Sequence, residues 1–218
     1  IVFDSIDAHG GDRYKEANYK FTFRNKSYIF KHNNELYEYS VSYQKDGQDI
    51  YDLMNNESFS RSMDGKKIEL SQKQKDAYSE SLNSVIYFAT IPYKLLDDAV
   101  MKTYKGETII KDKNYDVIEV TFREEGGGND FDDTYYYWIN QDTRNIDYLA
   151  YNYAVGKGGV RFRSAYNKRV VGGILFQDYI NYKATIGTPL DELPKRWEAE
   201  TLEELSRIET EDVKNLGK

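Results

Sequence analysis

The sequence has no cysteine, three prolines, two histidines and no surplus of positive charge. Without cysteine there are no disulfides, no thiol nucleophile and no Cys-ligated metal, although a thiol-free chain suits an oxidising compartment as well as a reducing one. No stretch approaches the roughly 18 consecutive apolar residues that a membrane-spanning helix needs. Lys and Arg number 30 against 37 Asp and Glu, a formal charge of −7. That balance argues against a nucleic-acid binder, which needs a basic stripe to displace phosphate counterions, and against docking on anionic headgroups. His9 and His32 fall in separate elements, no HExxH is present, and no G-x-S-x-G elbow supports a serine triad. Between a helix end and two glycines, His9 reads as a capping or hydrogen-bonding residue more readily than as a catalyst.

Aromatics, in contrast, are abundant. Phe, Trp and Tyr make up 15% of the chain, with 21 tyrosines, so this is a folding sequence with a real core. At 218 residues one domain is the default. The prevailing texture is alternation with period two: Tyr19, Phe21 and Phe23 share a face, the run Tyr28 to Phe30 resumes the pattern, and Leu36 to Tyr43 alternates again. Asp46-Gly47 and Asp64-Gly65 are hairpin dipeptides. We therefore expect a short helix over 1–9, a first meander over 17–70 and two helices over about 71–89 and 93–103, separated by Pro92. A second meander follows over 107–184, then a C-terminal helix and edge strand over 189–218, all on one α+β sheet. Ile1 is not a methionine, so a trimmed N-terminus with a lost signal or lipid-attachment segment is expected.

Several features bear on chemistry, and each has a plainer reading. Tyr135, Tyr136, Tyr137 and Trp138 place aromatics on both faces of one strand, and Tyr148, Tyr151 and Tyr153 do so on the next. Double-sided tyrosine suits a sheet that packs on one face and lines a partly wet groove on the other; ordinary cross-strand pairing serves equally. Gly126-Gly127-Gly128 leads into Asp130, Asp132 and Asp133, an oxygen-rich cluster that could hold a hard cation, or simply an acidic turn. Arg161 and Arg163 share a strand face around Phe162. Such guanidinium groups must pair with carboxylates, Asp178 and Asp147 being nearest by strand proximity, or meet an anionic ligand. Arg24 and Arg61 raise the same question.

His9-Gly10-Gly11, Phe21-Thr22-Phe23-Arg24, the segment from Asn83 to Phe88, the Gly126–Asp133 region, Tyr137-Trp138-Ile139, Asp147 to Tyr151, Arg161-Phe162-Arg163 and Phe176 to Tyr182 together resemble an uncharacterised family of Gram-negative envelope lipoproteins. The order of elements is similar to the LolA/LolB-like architecture, an unclosed half-barrel whose curved antiparallel sheet has helices over its concave face. This resemblance implies secretion to the periplasm or outer-membrane surface and a lipid anchor ahead of Ile1 as the one link to a membrane; the family has no established activity, and a non-enzymatic role is the leading expectation.

The expectation is a monomer without cofactor that binds a hydrophobic or amphiphilic small molecule, with Tyr87, Phe88, Trp138, Tyr151 and Phe162 lining the site and Arg161, Arg163 and Asp178 at its polar end. A metal-dependent hydrolase using the 130–133 carboxylates and a packed assembly module are the alternatives.

Overall fold

Short turns of defined hand set the architecture. The computed structural model describes residues 1–123, 133–154 and 156–217. Among them the chain runs α1 (Val2–His9), β1 (Asn18–Phe23), β2 (Lys26–Asn33), β3 (Leu36–Lys45), β4 (Gln48–Asn55), β5 (Phe59–Met63), β6 (Lys66–Lys67), α2 (Gln72–Ala89), β7 (Val100–Ile110), β8 (Lys113–Phe122), β9 (Thr134–Asn140), β10 (Ile146–Tyr153), β11 (Gly159–Val171), β12 (Ile174–Ala184), α3 (Leu193–Glu198), β13 (Glu203–Ile208) and β14 (Glu211–Asn215). Where one ladder was expected, hydrogen bonding makes two seven-stranded sheets, ordered β14-β1-β2-β3-β4-β5-β6 and β13-β12-β11-β10-β9-β8-β7. Neither closes on itself, and the fold is an α+β half-barrel.

The hairpin turns follow from local chemistry. Asp46 (φ 53°) and Gly47 (φ 78°) both take the left-handed conformation, as a type I′ turn requires, and its twist matches that of the flanking strands. Arg24-Asn25 and Lys111-Asp112 do the same without glycine. The Lys111-Asp112 turn explains one departure from expectation. The predicted second helix over 93–103 is a single 3-10 turn, Tyr93–Leu96, followed by β7. From Val100 onward, pairing with β8 across that hairpin outweighs local helix propensity. α2 forms where the helix formers predict it, its N-terminus closed by a capping box between Ser71 and Gln74.

Contacts gather the chain into two compact units: Ile1–His9, Pro92–Lys168 and Gln177–Ile208 form one, and Gly10–Ile91, Arg169–Phe176 and Glu209–Lys218 the other. The second unit is organised by ring pairs across β1 and β2. Tyr19 stacks on Phe30 and Phe21 on Tyr28, each at 5.4 Å between centroids. His32 is held at both nitrogens, Nδ1 at 2.7 Å from the Tyr14 carbonyl and Nε2 at 2.9 Å from the Tyr39 hydroxyl. On the same inward face Arg61 donates to both carboxylate oxygens of the opposing Asp52 at 2.5 and 2.7 Å and to the Tyr43 hydroxyl at 3.1 Å, under the Tyr78 ring of α2. Arg61 is thus a structural ion pair. α2 packs on β3 and β5 of this sheet.

Candidate ligand-binding face

In the first unit, alternation sends neighbouring residues of each strand to opposite faces, and the register shows which residues meet. Trp138 lies opposite Tyr148 and Val117, and Phe162 opposite Ala150. These residues form a buried cluster with Leu190 and Leu193, against which Trp197 of α3 packs. The Trp197 ring stands 5.0 Å from Tyr148 and 5.9 Å from Phe162. This face is a closed core under the C-terminal helix. Trp138 and Phe162, expected to line a ligand site, belong to it.

The opposite face carries Ile118 and Val120 from β8, Tyr135 and Tyr137 from β9, Leu149, Tyr151 and Tyr153 from β10, and Arg161 and Arg163 from β11. Its aliphatic part is buried, while Tyr151, Tyr153 and Arg161 are part-exposed. Tyr135 stacks on Tyr151 at 5.1 Å, and Tyr151 lies 6.1 Å from Tyr153. The two arginines lean along one diagonal across the β10–β11 pair. Arg161 donates through Nη2 to the Tyr153 hydroxyl at 2.6 Å, and Arg163 through Nη2 to the Tyr151 hydroxyl at 2.7 Å. Each guanidinium carbon sits 5.1 Å from the centroid of the ring it serves, within cation–π range. The result is an apolar strip edged by two cations held on tyrosines.

The other predicted site residues are distributed elsewhere. Tyr87 and Phe88 lie on α2 in the second unit, in an edge-on ring pair at 5.6 Å. Asp147, which strand proximity offered as an arginine partner, instead accepts from Lys168, from the Tyr115 hydroxyl at 3.0 Å and from the Asn140 amide at 3.3 Å. The β9–β10 register shifts between Ile146 and Tyr148, at Asp147. Asp178 accepts from the Asn167 amide at 2.6 Å. Asp130 and Asp132 lie outside the described residues and Asp133 is buried; among the described residues no three His or acidic side chains gather to hold a metal.

Sequence reasoning missed the part played by Gln177 and Tyr179, and it understated His9. The β10–β11 register stops at Tyr148–Ser164. Beyond it the Ile146 N–H donates to His9 Nε2 at 3.2 Å, and the Ile146 carbonyl accepts from Gln177 Nε2 at 2.9 Å. Two side chains thus complete a ladder that the neighbouring strand leaves open. Gln177 also donates to Tyr179, whose hydroxyl is pushed up to about 12 chiefly by burial. Nothing in the local pattern around Gln177 signals a backbone partner 31 residues away.

Burial lowers the His9 pKa from 6.5 to about 3, with the Lys168 ammonium adding to the effect. The unfolded chain takes up this proton below pH 6.5 and the folded one only near pH 3, so stability is full above pH 6.5 and declines as pH falls through that interval. Denaturant unfolding of the wild type should therefore lose about 1 kcal/mol more than His9→Asn between about pH 6 and about pH 5. Parallel pH curves for the two proteins would mean that His9 is not held neutral.

A family model for a family of unknown function, DUF6503, matches residues 1–210. The chain belongs to this family. No curated protein matches the sequence of this DUF6503 member. Among solved structures it is similar to a LolA superfamily protein from Nitrosomonas europaea, with a TM-score of 0.57 and 13% identity over 100% of this chain and 93% of the other. It is also similar to a DUF1329 family protein from Desulfovibrio piger, with a TM-score of 0.46 and 10% identity over 99% and 92% of the two chains. The fold of this DUF6503 member is LolA-like, as its element order suggested.

Proposed function

We propose that this DUF6503 protein is a non-enzymatic protein of the cell envelope that binds a lipid or other amphiphile on the tyrosine-lined face of β8 to β11. The observation that carries this reading is the juxtaposition on one face of the part-exposed rings of Tyr151 and Tyr153, set over the buried Ile118, Val120 and Leu149, with the part-exposed guanidinium of Arg161 beside the buried Arg163. Apolar area gives affinity, at about 25 cal/mol per Å² removed from water, and a few convergent polar groups give orientation. A LolA-like fold supports the assignment at the level of architecture.

In this reading the tail lies along the tyrosine rings, the polar head meets an arginine, and the protein works as a monomer without a cofactor in the periplasm or at the outer membrane. Protein purified without detergent and extracted with organic solvent should release an amphiphile detectable by mass spectrometry, or should bind one after delipidation. An empty protein with no affinity for amphiphiles would remove the proposal.

A further inference from the structure

Arg161 is held differently from the cations of the fold that pair with carboxylates. Arg61 is neutralised by Asp52, Lys168 by Asp147 and Arg144 by Asp116. The hydrogen bonds of Arg161 go to neutral oxygens, the Val160 carbonyl at 3.0 Å and the Tyr153 hydroxyl at 2.6 Å, and no carboxylate among the described residues pairs with it. A guanidinium has five N–H donors, so three have no acceptor among the described residues.

The side chain is also held in place. Gly159 lies directly opposite Tyr153, and a Cβ there would fall 2.6 Å from the Tyr153 hydroxyl and 2.8 Å from Arg161 Nη1. The missing side chain is what lets the ring and the guanidinium cross the strand at this point. A part-buried cation fixed on a tyrosine, with donors to spare, presents a planar fork that fits the paired oxygens of a carboxylate or phosphate.

Resting on the amphiphile reading above, we infer that the bound amphiphile carries an anionic head, a carboxylate or phosphate, and that Arg161 selects it, positioned by Tyr153 and Gly159. Uncharged heads would leave the cation desolvated without compensation.

The test is equilibrium binding to delipidated protein of palmitate, 1-palmitoyl lysophosphatidate, 1-monopalmitoylglycerol and inorganic phosphate, each amphiphile below its micelle concentration. The wild type should bind the two anionic amphiphiles at least about tenfold more tightly than the glycerol ester. Arg161→Gln should abolish that preference, weakening the two anionic amphiphiles by a larger factor than the ester, and Arg161→Lys, which keeps the charge but not the fork, should retain part of it. Circular dichroism checks that each variant is folded, and Tyr153→Phe, which keeps the ring, should weaken anion binding by a smaller factor.

Equal affinity of the wild type for charged and uncharged heads, or a preference that survives Arg161→Gln, would overturn the inference. If no amphiphile binds at all, the amphiphile reading fails. In that case phosphate binding that depends on Arg161 would leave an anion site standing, and its absence would end the inference too.

Discussion

Asp52→Ala is expected to lower the unfolding free energy by about 3–5 kcal/mol, measured by urea denaturation at neutral pH. Asp52 and Arg61 are almost completely buried, at 3% and 9% exposure, and face each other across β4 and β5. Removing the carboxylate leaves a buried guanidinium with, among the described residues, the Tyr43 hydroxyl and the Tyr78 ring to compensate. Much of the cost is that of an uncompensated charge, not the net worth of the pair. The double variant Asp52→Leu, Arg61→Met should accordingly recover most of the lost stability, since desolvating two ions offsets most of what their attraction contributes. If the double variant is as unstable as the single one, the pair is a net stabiliser and this account is wrong.

Trp138→Ala should cost a similar amount, about 3–5 kcal/mol, through lost burial and the cavity left beneath α3. The side chain is 1% exposed and meets Phe162 edge-on at 5.9 Å. On sequence grounds alone Trp138 was a candidate ligand-lining residue, and the two roles have opposite signatures. As a core residue it should shift the unfolding midpoint while the affinity of the folded protein for an amphiphile changes by less than about twofold, because the arginine–tyrosine edge is on the other side of the sheet. Loss of affinity with unchanged stability would return Trp138 to the site. Phe162, at 0% exposure in the same cluster, should behave alike.

Much of the secondary structure was legible because its causes are local. Left-handed dipeptides such as Asp46-Gly47 mark their own hairpins, alternation places Tyr19 and Phe21 on one face, and Ser71 caps the helix that the following residues propagate. The segment after Pro92 was misread because its helix formers are outvoted by a partner strand, and strand pairing is not written in the residues that pair. Alternation likewise puts Trp138 and Tyr137 on opposite faces without saying which face is covered. That depended on where Leu193 and Trp197 dock, more than 50 residues further on.

Composition and period two were enough to specify an aromatic-rich antiparallel α+β fold, with hairpins at the glycine and asparagine turns, because backbone sterics and side-chain direction act within a few residues. The folded chain alone decided that β13 and β14, adjacent in sequence, join different sheets. It also decided that Arg61 and Asp52 neutralise each other, and that the hydrogen bonds of Arg161 go to neutral oxygens. Whether a charge is compensated depends on atoms within a few ångströms in space, and residues far apart in the sequence supply them.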